Sequence, residues 1–522
     1  MKVFFSLLFL LFFSCFYTRA SELKKGGTLV FALARNFDNL DPAKTIDSEA
    51  ISVCANIFDG LVRYGKNSTV IEPALATHWQ SSDRGKRWIF HLRQGVYFHD
   101  GTLFDAAAVV FSFKRQLSSS AAADGDEFIY WKSMFSMVKD VRALDEATVE
   151  ISLRQAHMPF LTNLAMVNMS IMSPIASKKY GRNIGKNPVG TGPFMFHKWI
   201  PDEKIILKAS SSCWAGNPYI DQLNFLPIPG PERRFARLLA GQLEGISAPG
   251  AHELKAVRSG AAANGLQLVS IPGMNLGYLA LNNMRPPLDD ERVRKAIAMC
   301  INRKLLVQIL FSGLAVVATN PFPPTIWGFN AEIGAYPYDP QKALELLEQA
   351  GLSNGFSMTL YAMPVSRPYM LRPRQIAMAI QGFLKKIKID ARIITFEWDE
   401  YLERTENGEH DACLTGWVGE NGDPDNFLFP LFAGVNAKKG SATNLSFYSN
   451  ETLNDILLHA RKEINPIFRQ RHYLKAQEII HASTPIVPLA HARDIILLKK
   501  TVRNFQQHPT GRLLFHKVWL DE

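Results

Sequence analysis

The stretch Gly416-Trp417-Val418-Gly419-Glu420-Asn421-Gly422-Asp423-Pro424-Asp425-Asn426-Phe427 packs three acids, two asparagines, three glycines and a proline directly behind the apolar run Ala412-Cys413-Leu414-Thr415. Glycine and asparagine reach backbone conformations that other residues avoid, so this composition suits an irregular loop at the end of a strand. Loops held by a rigid element are where binding groups collect. Its three acids are Glu420, Asp423 and Asp425. A solvated turn has the same composition, and on this stretch alone both readings stand.

Other chemistry-bearing residues are less specific. His91, His99 and Asp100 fall in one hairpin pattern, but two histidines eight apart are no metal-ligand spacing, and no metal site is assigned. Gly190-Thr191-Gly192 lacks the Lys-Ser/Thr that must follow in a phosphate loop, so it reads as a tight turn. Cys54, Cys213, Cys300 and Cys413 show no C-x-x-C spacing and sit mostly in apolar runs. Disulfides and buried thiols are equally open for them. An exported hydrolase would carry a nucleophile elbow, a His-Glu-x-x-His helix or a paired-acid site, and none is found. No cofactor is expected.

The loop from Gly416 resembles the "GW.GDNGDPDNF" loop of periplasmic dipeptide-binding proteins, the receptors of ABC peptide importers. Met363-Pro364-Val365-Ser366-Arg367-Pro368-Tyr369 is similar to a second motif of that family. Further blocks agree. The segment from Ala74 to Gly101 resembles "LA..W..SD.GK.W.FHLR.GV.FHDG", Pro188 to Phe194 the "P.GTGPF" turn, and Pro272 to Leu279 the "PG.N..YL" passage. The resemblance implies that Arg367 binds a peptide carboxylate and Glu420 a peptide ammonium.

That pairing has a physical rationale. A dipeptide is a zwitterion, and enclosing either charge unpaired costs several kcal/mol, on the order of the penalty for any buried lone ion. An arginine fork can bond both carboxylate oxygens at once. Two fixed anchors also measure length, because each added residue extends a peptide by roughly 3.3–3.6 Å. Tyr369, Trp398 and Trp417 are candidates to line side-chain space, with core packing an equal reading for Trp398. The chain departs from the family in having Glu420 where the motif has Asp, which keeps the charge but lengthens the arm by roughly 1.5 Å. Asp423 and Asp425 are expected to hold the loop together. The family's cysteines after this loop are replaced by Leu431-Phe432-Ala433-Gly434.

The elements that must position these residues run over 522 residues, more than one core accommodates. Apolar content of 47% and charged content of 20% are ordinary for a globular protein. Met1-Lys2, an apolar run from Val3 to Tyr17 and Thr18-Arg19-Ala20 form a secretory signal-peptide pattern, with cleavage expected after Ala20 and a lipid anchor on Cys15 a weaker alternative. Losing Lys2 and Arg19 lowers the net charge from +10 to +8. The cluster Arg292 to Lys295 reads as a solvated helix face, and nucleic acid is not an expected partner.

Strands alternating with helices predict an α/β fold. The resemblance implies a two-lobed periplasmic binding protein (type II, cluster C) with an extra small domain, three spatial domains in all. The expected division is residues 21–56, 187–273 and 495–522 in a discontinuous first lobe, 57–186 in the small domain, and 274–494 in the second lobe. The expected role is to capture dipeptides in the periplasm as a monomer and deliver them to an inner-membrane ABC permease. Relatives reading oligopeptides, haem or aminolevulinate, glutathione, nickel or antimicrobial peptides keep the ligand open.

Overall fold

The protein is described by a computed structural model covering residues 25–118, 128–260 and 265–521. The expected signal peptide, its cleavage site and Cys15 lie outside the described residues.

The organising element is the 14-residue strand Ile486–Lys499. Its run of Ile, Val, Leu and Ala is buried over most of its length, as expected of a strand covered on both faces. Its first half pairs antiparallel with Asn275–Leu281, setting Ala280 opposite Ile486 and Gly277 opposite Ala490. Its second half pairs antiparallel with Leu266–Pro272, from Pro272 opposite Arg493 to Leu266 opposite Lys499. Only Gly273-Met274 separates the two partner strands. The chain therefore crosses between the two halves of the molecule at two adjacent places.

Among the described residues the largest sheet has 12 strands. On one side of the crossing lie Ala412–Val418, Phe356–Tyr361 and Ile389–Ile394. On the other lie Gly245–Ser247, Thr28–Leu33, Gln222–Pro227, Lys204–Ala209 and Phe194–Ile200. Asn275 ties the crossing together. Its side-chain amide donates to the Ala492 carbonyl (3.2 Å), its Oδ1 accepts from the Ala492 N–H (2.7 Å), and its own carbonyl accepts from His491 Nδ1 (2.6 Å).

Separate apolar cores form around these halves. One draws on residues from Met274 to Ala490, another on Ala43 to Ile171, and a third joins Leu29, Phe225, Ile496 and Phe515. The second core underlies a four-stranded antiparallel sheet of Ala76–Ser82, Arg87–Leu92, Thr148–Leu153 and Val138–Asp145. Alternation explains it: Trp88, Phe90 and Leu92 turn inward together with Val149, Ile151 and Leu153. Helix Ala106–Ser118 covers it, and Asp105 caps the first turn by accepting from the Ala108 N–H at 2.9 Å. In the first core, helix Pro373–Lys385 buries Ile376, Ala377, Ile380 and Leu384, one stripe at helical spacing.

Two sequence expectations are refined. Arg294 is not part of a solvated face. It is buried, and its guanidinium donates to the carbonyls of Leu288, Asp289 and Ser483, while Arg292 stays exposed. Helix Glu451–Ala460 starts where it does because Asn450 caps it by accepting from the Leu453 N–H. The turn at Gly190-Thr191-Gly192 is a joint: a Cβ on Gly190 would lie 2.2 Å from the Ile57 carbonyl oxygen, and His99 bonds the Gly192 carbonyl at 2.9 Å. Cys54, Cys213, Cys300 and Cys413 are buried free thiols. Among the described residues no helix is long and apolar enough to cross a membrane.

Candidate functional site

The site is built on two glycines. Strand Ala412–Val418 pairs antiparallel with Asn275–Leu281, and Gly416 falls directly opposite Gly277. The missing side chains leave a flat patch on the sheet, which the segment Ser366 to Leu371 occupies. A Cβ on Gly277 would meet the Tyr369 carbonyl oxygen at 2.2 Å, and one on Gly416 would meet the Tyr369 ring at 2.1 Å. The segment turns through reciprocal backbone bonds, Arg367 N–H to Met370 O (3.2 Å) and Met370 N–H to Arg367 O (2.8 Å). Met370 is fully buried and pins the turn.

This turn presents Arg367 at the surface, its guanidinium carbon 4.8 Å from the centroid of the Trp398 ring. Trp398 opens helix Trp398–Glu406 and stacks on Tyr401 at 6.0 Å. The Tyr401 hydroxyl donates to the Leu414 carbonyl at 2.5 Å, tying this stack back to the strand that carries Gly416. Trp398 thus packs and supports Arg367 together.

The acidic loop leaves the far end of the same strand. Gly419 N–H donates to the Met274 carbonyl at 2.7 Å, extending the pairing one step past Val418. Trp417 donates its ring N–H to the Asn426 carbonyl (2.7 Å), and Asn426 Oδ1 accepts from the Glu420 N–H (2.8 Å). These two bonds close the loop on itself.

The three acids have different fates. Asp423 is fully buried and accepts both guanidinium nitrogens of Arg469, at 2.7 and 2.8 Å. It also accepts from the Thr162 hydroxyl (3.2 Å), on the short helix Pro159–Asn163. Asp425 lies 3.3 Å from Arg461, and burial pushes its pKa up to about 6 against the pull of that arginine. Asn421 bonds Asn163, and a Cβ on Gly422 would strike Thr69 at 2.1 Å. The loop is therefore clamped between two parts of the molecule, and Asp423 and Asp425 are taken up in holding it.

Glu420 is different. The residue is exposed, yet partial desolvation of its carboxylate raises its pKa, opposed by one hydrogen bond. That bond comes from the Tyr130 hydroxyl, which donates to Oε2 at 2.7 Å. Tyr130 sits on helix Ile129–Met134 and is a site residue the sequence reading missed. A partner 290 positions away leaves no local pattern to find. Among the described residues neither Arg367 nor Glu420 enters a salt bridge.

The other sequence candidates have structural partners. His91 stacks on His78 at 4.2 Å, His99 bonds the Gly192 carbonyl, and Asp100 accepts from Ser173 and Thr102. Among the described residues no group of three or more His, Cys, Asp or Glu could hold a metal ion.

Comparison with known proteins decides the family. Residues 70–439 match the bacterial extracellular solute-binding proteins, family 5 middle region. The chain belongs to this family. It is a periplasmic solute-binding component of an ABC importer, and not an enzyme. The dipeptide-binding protein of Escherichia coli (strain K12) is 35% identical over 481 residues, covering 89% of each chain. Heme-binding protein A of Haemophilus influenzae is 34% identical over 523 residues, covering 97% of this chain and 94% of the relative. Among solved structures, HbpA2 from Haemophilus parasuis superposes with a TM-score of 0.90 at 33% identity, covering 95% of this chain and all of that one. The α/β, two-lobed architecture follows from these matches together with the sheet described above.

Proposed function

We propose that this family 5 protein captures dipeptides, as a monomer, and delivers them to an inner-membrane ABC permease. Arg367 takes the ligand carboxylate and Glu420 its ammonium, with Tyr369, Trp398 and Trp417 lining the space beside them. One observation carries the reading. Of the charged groups around the strand that ends at Val418, Asp423 is paired with the buried Arg469 and Asp425 with the partly exposed Arg461, whereas Arg367 and Glu420 have no ion-pair partner among the described residues. A zwitterion supplies the two missing partners at once, and its burial between them is favourable only because both charges are matched. Tyr130 stands in as a neutral donor to Glu420.

A thermal-shift panel on protein lacking residues 1–20, unfolded and refolded to remove bound ligand, tests this. Ligands that bind only the native state raise its melting temperature by mass action. Dipeptides are expected to stabilise it more than tripeptides, longer peptides, glutathione, haem or nickel. Stabilisation by haem or glutathione with no response to dipeptides would contradict the reading, and relatives of both descriptions make those the arms to include.

A further inference from the structure

Among the described residues four arginines are buried, and three of them are well supplied with acceptors. Arg234 donates to the carbonyls of Ile228, Ser247 and Ala248. Arg294 donates to those of Leu288, Asp289 and Ser483, and Arg469 to the Asp423 carboxylate and the Ala460 carbonyl. Arg303 is the exception. It is only 5% exposed, yet its guanidinium makes a single hydrogen bond among the described residues, to the Tyr336 carbonyl at 2.5 Å. Most of its N–H donors therefore have no protein acceptor. Burial lowers its pKa to about 10, and no carboxylate pulls it back.

Arg303 lines a cavity of about 20 Å³ under the start of strand Ile486–Lys499. The rings of Tyr336 and His481 stack at 4.5 Å in its wall, and Thr319 and Thr484 bring hydroxyls to it. The lining contains no Asp or Glu. His481 cannot add a compensating charge either. Burial first, then the positive charges of Arg303 and Lys295, lower its pKa, so the ring stays neutral at pH 7. Lys295 itself is paired outside the cavity with Glu291, at 3.2 Å. The cavity thus carries one net positive charge with donors to spare. A water molecule needs roughly 10–15 Å³, so the space suits one monatomic occupant and is too small for a polyatomic anion. Water there would meet the donors but leave the charge poorly compensated, whereas an anion answers both needs.

We propose that this cavity is a halide site, in which Arg303 holds one chloride ion between Tyr336, His481 and the first residues of strand Ile486–Lys499. The site is separate from Arg367 and Glu420 and does not depend on which ligand they take. Its role is to neutralise a buried charge where helices Arg303–Leu310 and Pro466–Ser483 meet that strand.

The test is thermal melting of refolded protein lacking residues 1–20 in sodium gluconate, with chloride or bromide replacing gluconate at constant ionic strength. A halide bound only by the native state raises the melting temperature by mass action, by about 3 °C for each tenfold rise in its concentration above Kd. Arg303→Met, which keeps the length of the side chain without its charge, is expected to abolish this response. A response of equal size in the variant is a general salt effect and overturns the proposal, as does a wild-type melting temperature indifferent to halide. Bromide-soaked crystals of wild type give a readout that needs no variant. An anomalous peak beside the Arg303 guanidinium is expected, and a water molecule alone in that place overturns the site.

Discussion

Arg367 and Glu420 are held in opposite ways, and their variants should differ accordingly. Arg367 rests on Trp398 and has no ion-pair partner among the described residues. Arg367→Ala should abolish dipeptide binding, since a buried carboxylate without its cation costs about 3–5 kcal/mol, more than a hundredfold in affinity. Retained affinity in a titration would sink the anchor assignment. Glu420→Gln should weaken binding strongly, while Glu420→Asp keeps it. Tyr130→Phe gives a sharper readout. The Tyr130 hydroxyl favours the charged carboxylate, so its loss raises the pKa of Glu420 further above the usual carboxylate range. As pH is lowered, the variant's affinity should begin to fall at a higher pH than that of wild type. An unchanged pH profile would contradict this role. At this scale the sequence shows Arg367 and Glu420 because each sits inside a short motif. Tyr130 is invisible there, since what defines it is a neighbour in space rather than a pattern in the chain.

The elements around the site depend on close backbone approach. Gly416→Ala would place a methyl 2.1 Å from the Tyr369 ring, so the segment bearing Arg367 must lift off the sheet. The expected cost is about 1–3 kcal/mol in stability from overpacking, with ligand affinity falling further than that cost explains. Urea unfolding measured beside ligand titration separates the two effects, and a variant with wild-type affinity would contradict the account of the flat patch. The loop's own anchor is testable in the same way. Asp423→Asn leaves Arg469 buried without its carboxylate and should destabilise the protein by about 3–5 kcal/mol. The strand that leads into the acidic loop was legible as the apolar run Ala412 to Thr415. Arg294 was not legible, because helical spacing of charges says nothing about the carbonyls of Leu288 and Ser483 that draw its guanidinium inward.

Across the whole molecule, buried histidines set the acid limit of stability. Desolvation first of all lowers His157 to about 3 and His410, His491 and His508 to about 4. Each is neutral in the folded state and binds a proton in the unfolded chain below about pH 6.5. The unfolded state therefore gains as pH falls from 7 to 5, by about 2 kcal/mol per histidine. Asp425 and Asp494, raised to about 6, take up protons in the folded state and offset part of this. The urea midpoint should fall between pH 7 and pH 5, and a midpoint that holds or rises would contradict the assignment of these histidines as buried and neutral. The α/β class was readable from alternation of strands and helices. The double crossing was not, because Asn275 and Ala492 are 217 positions apart and only a family resemblance pointed to their meeting.

The central claim is that one zwitterion satisfies both anchors. Its most direct test is calorimetric titration of ligand-free protein with a free dipeptide, the same dipeptide N-acetylated, and the same dipeptide as its C-terminal amide. The account predicts that the free dipeptide binds and that removing either charge weakens binding about a hundredfold or more. Equal affinity for the blocked and free forms would contradict it.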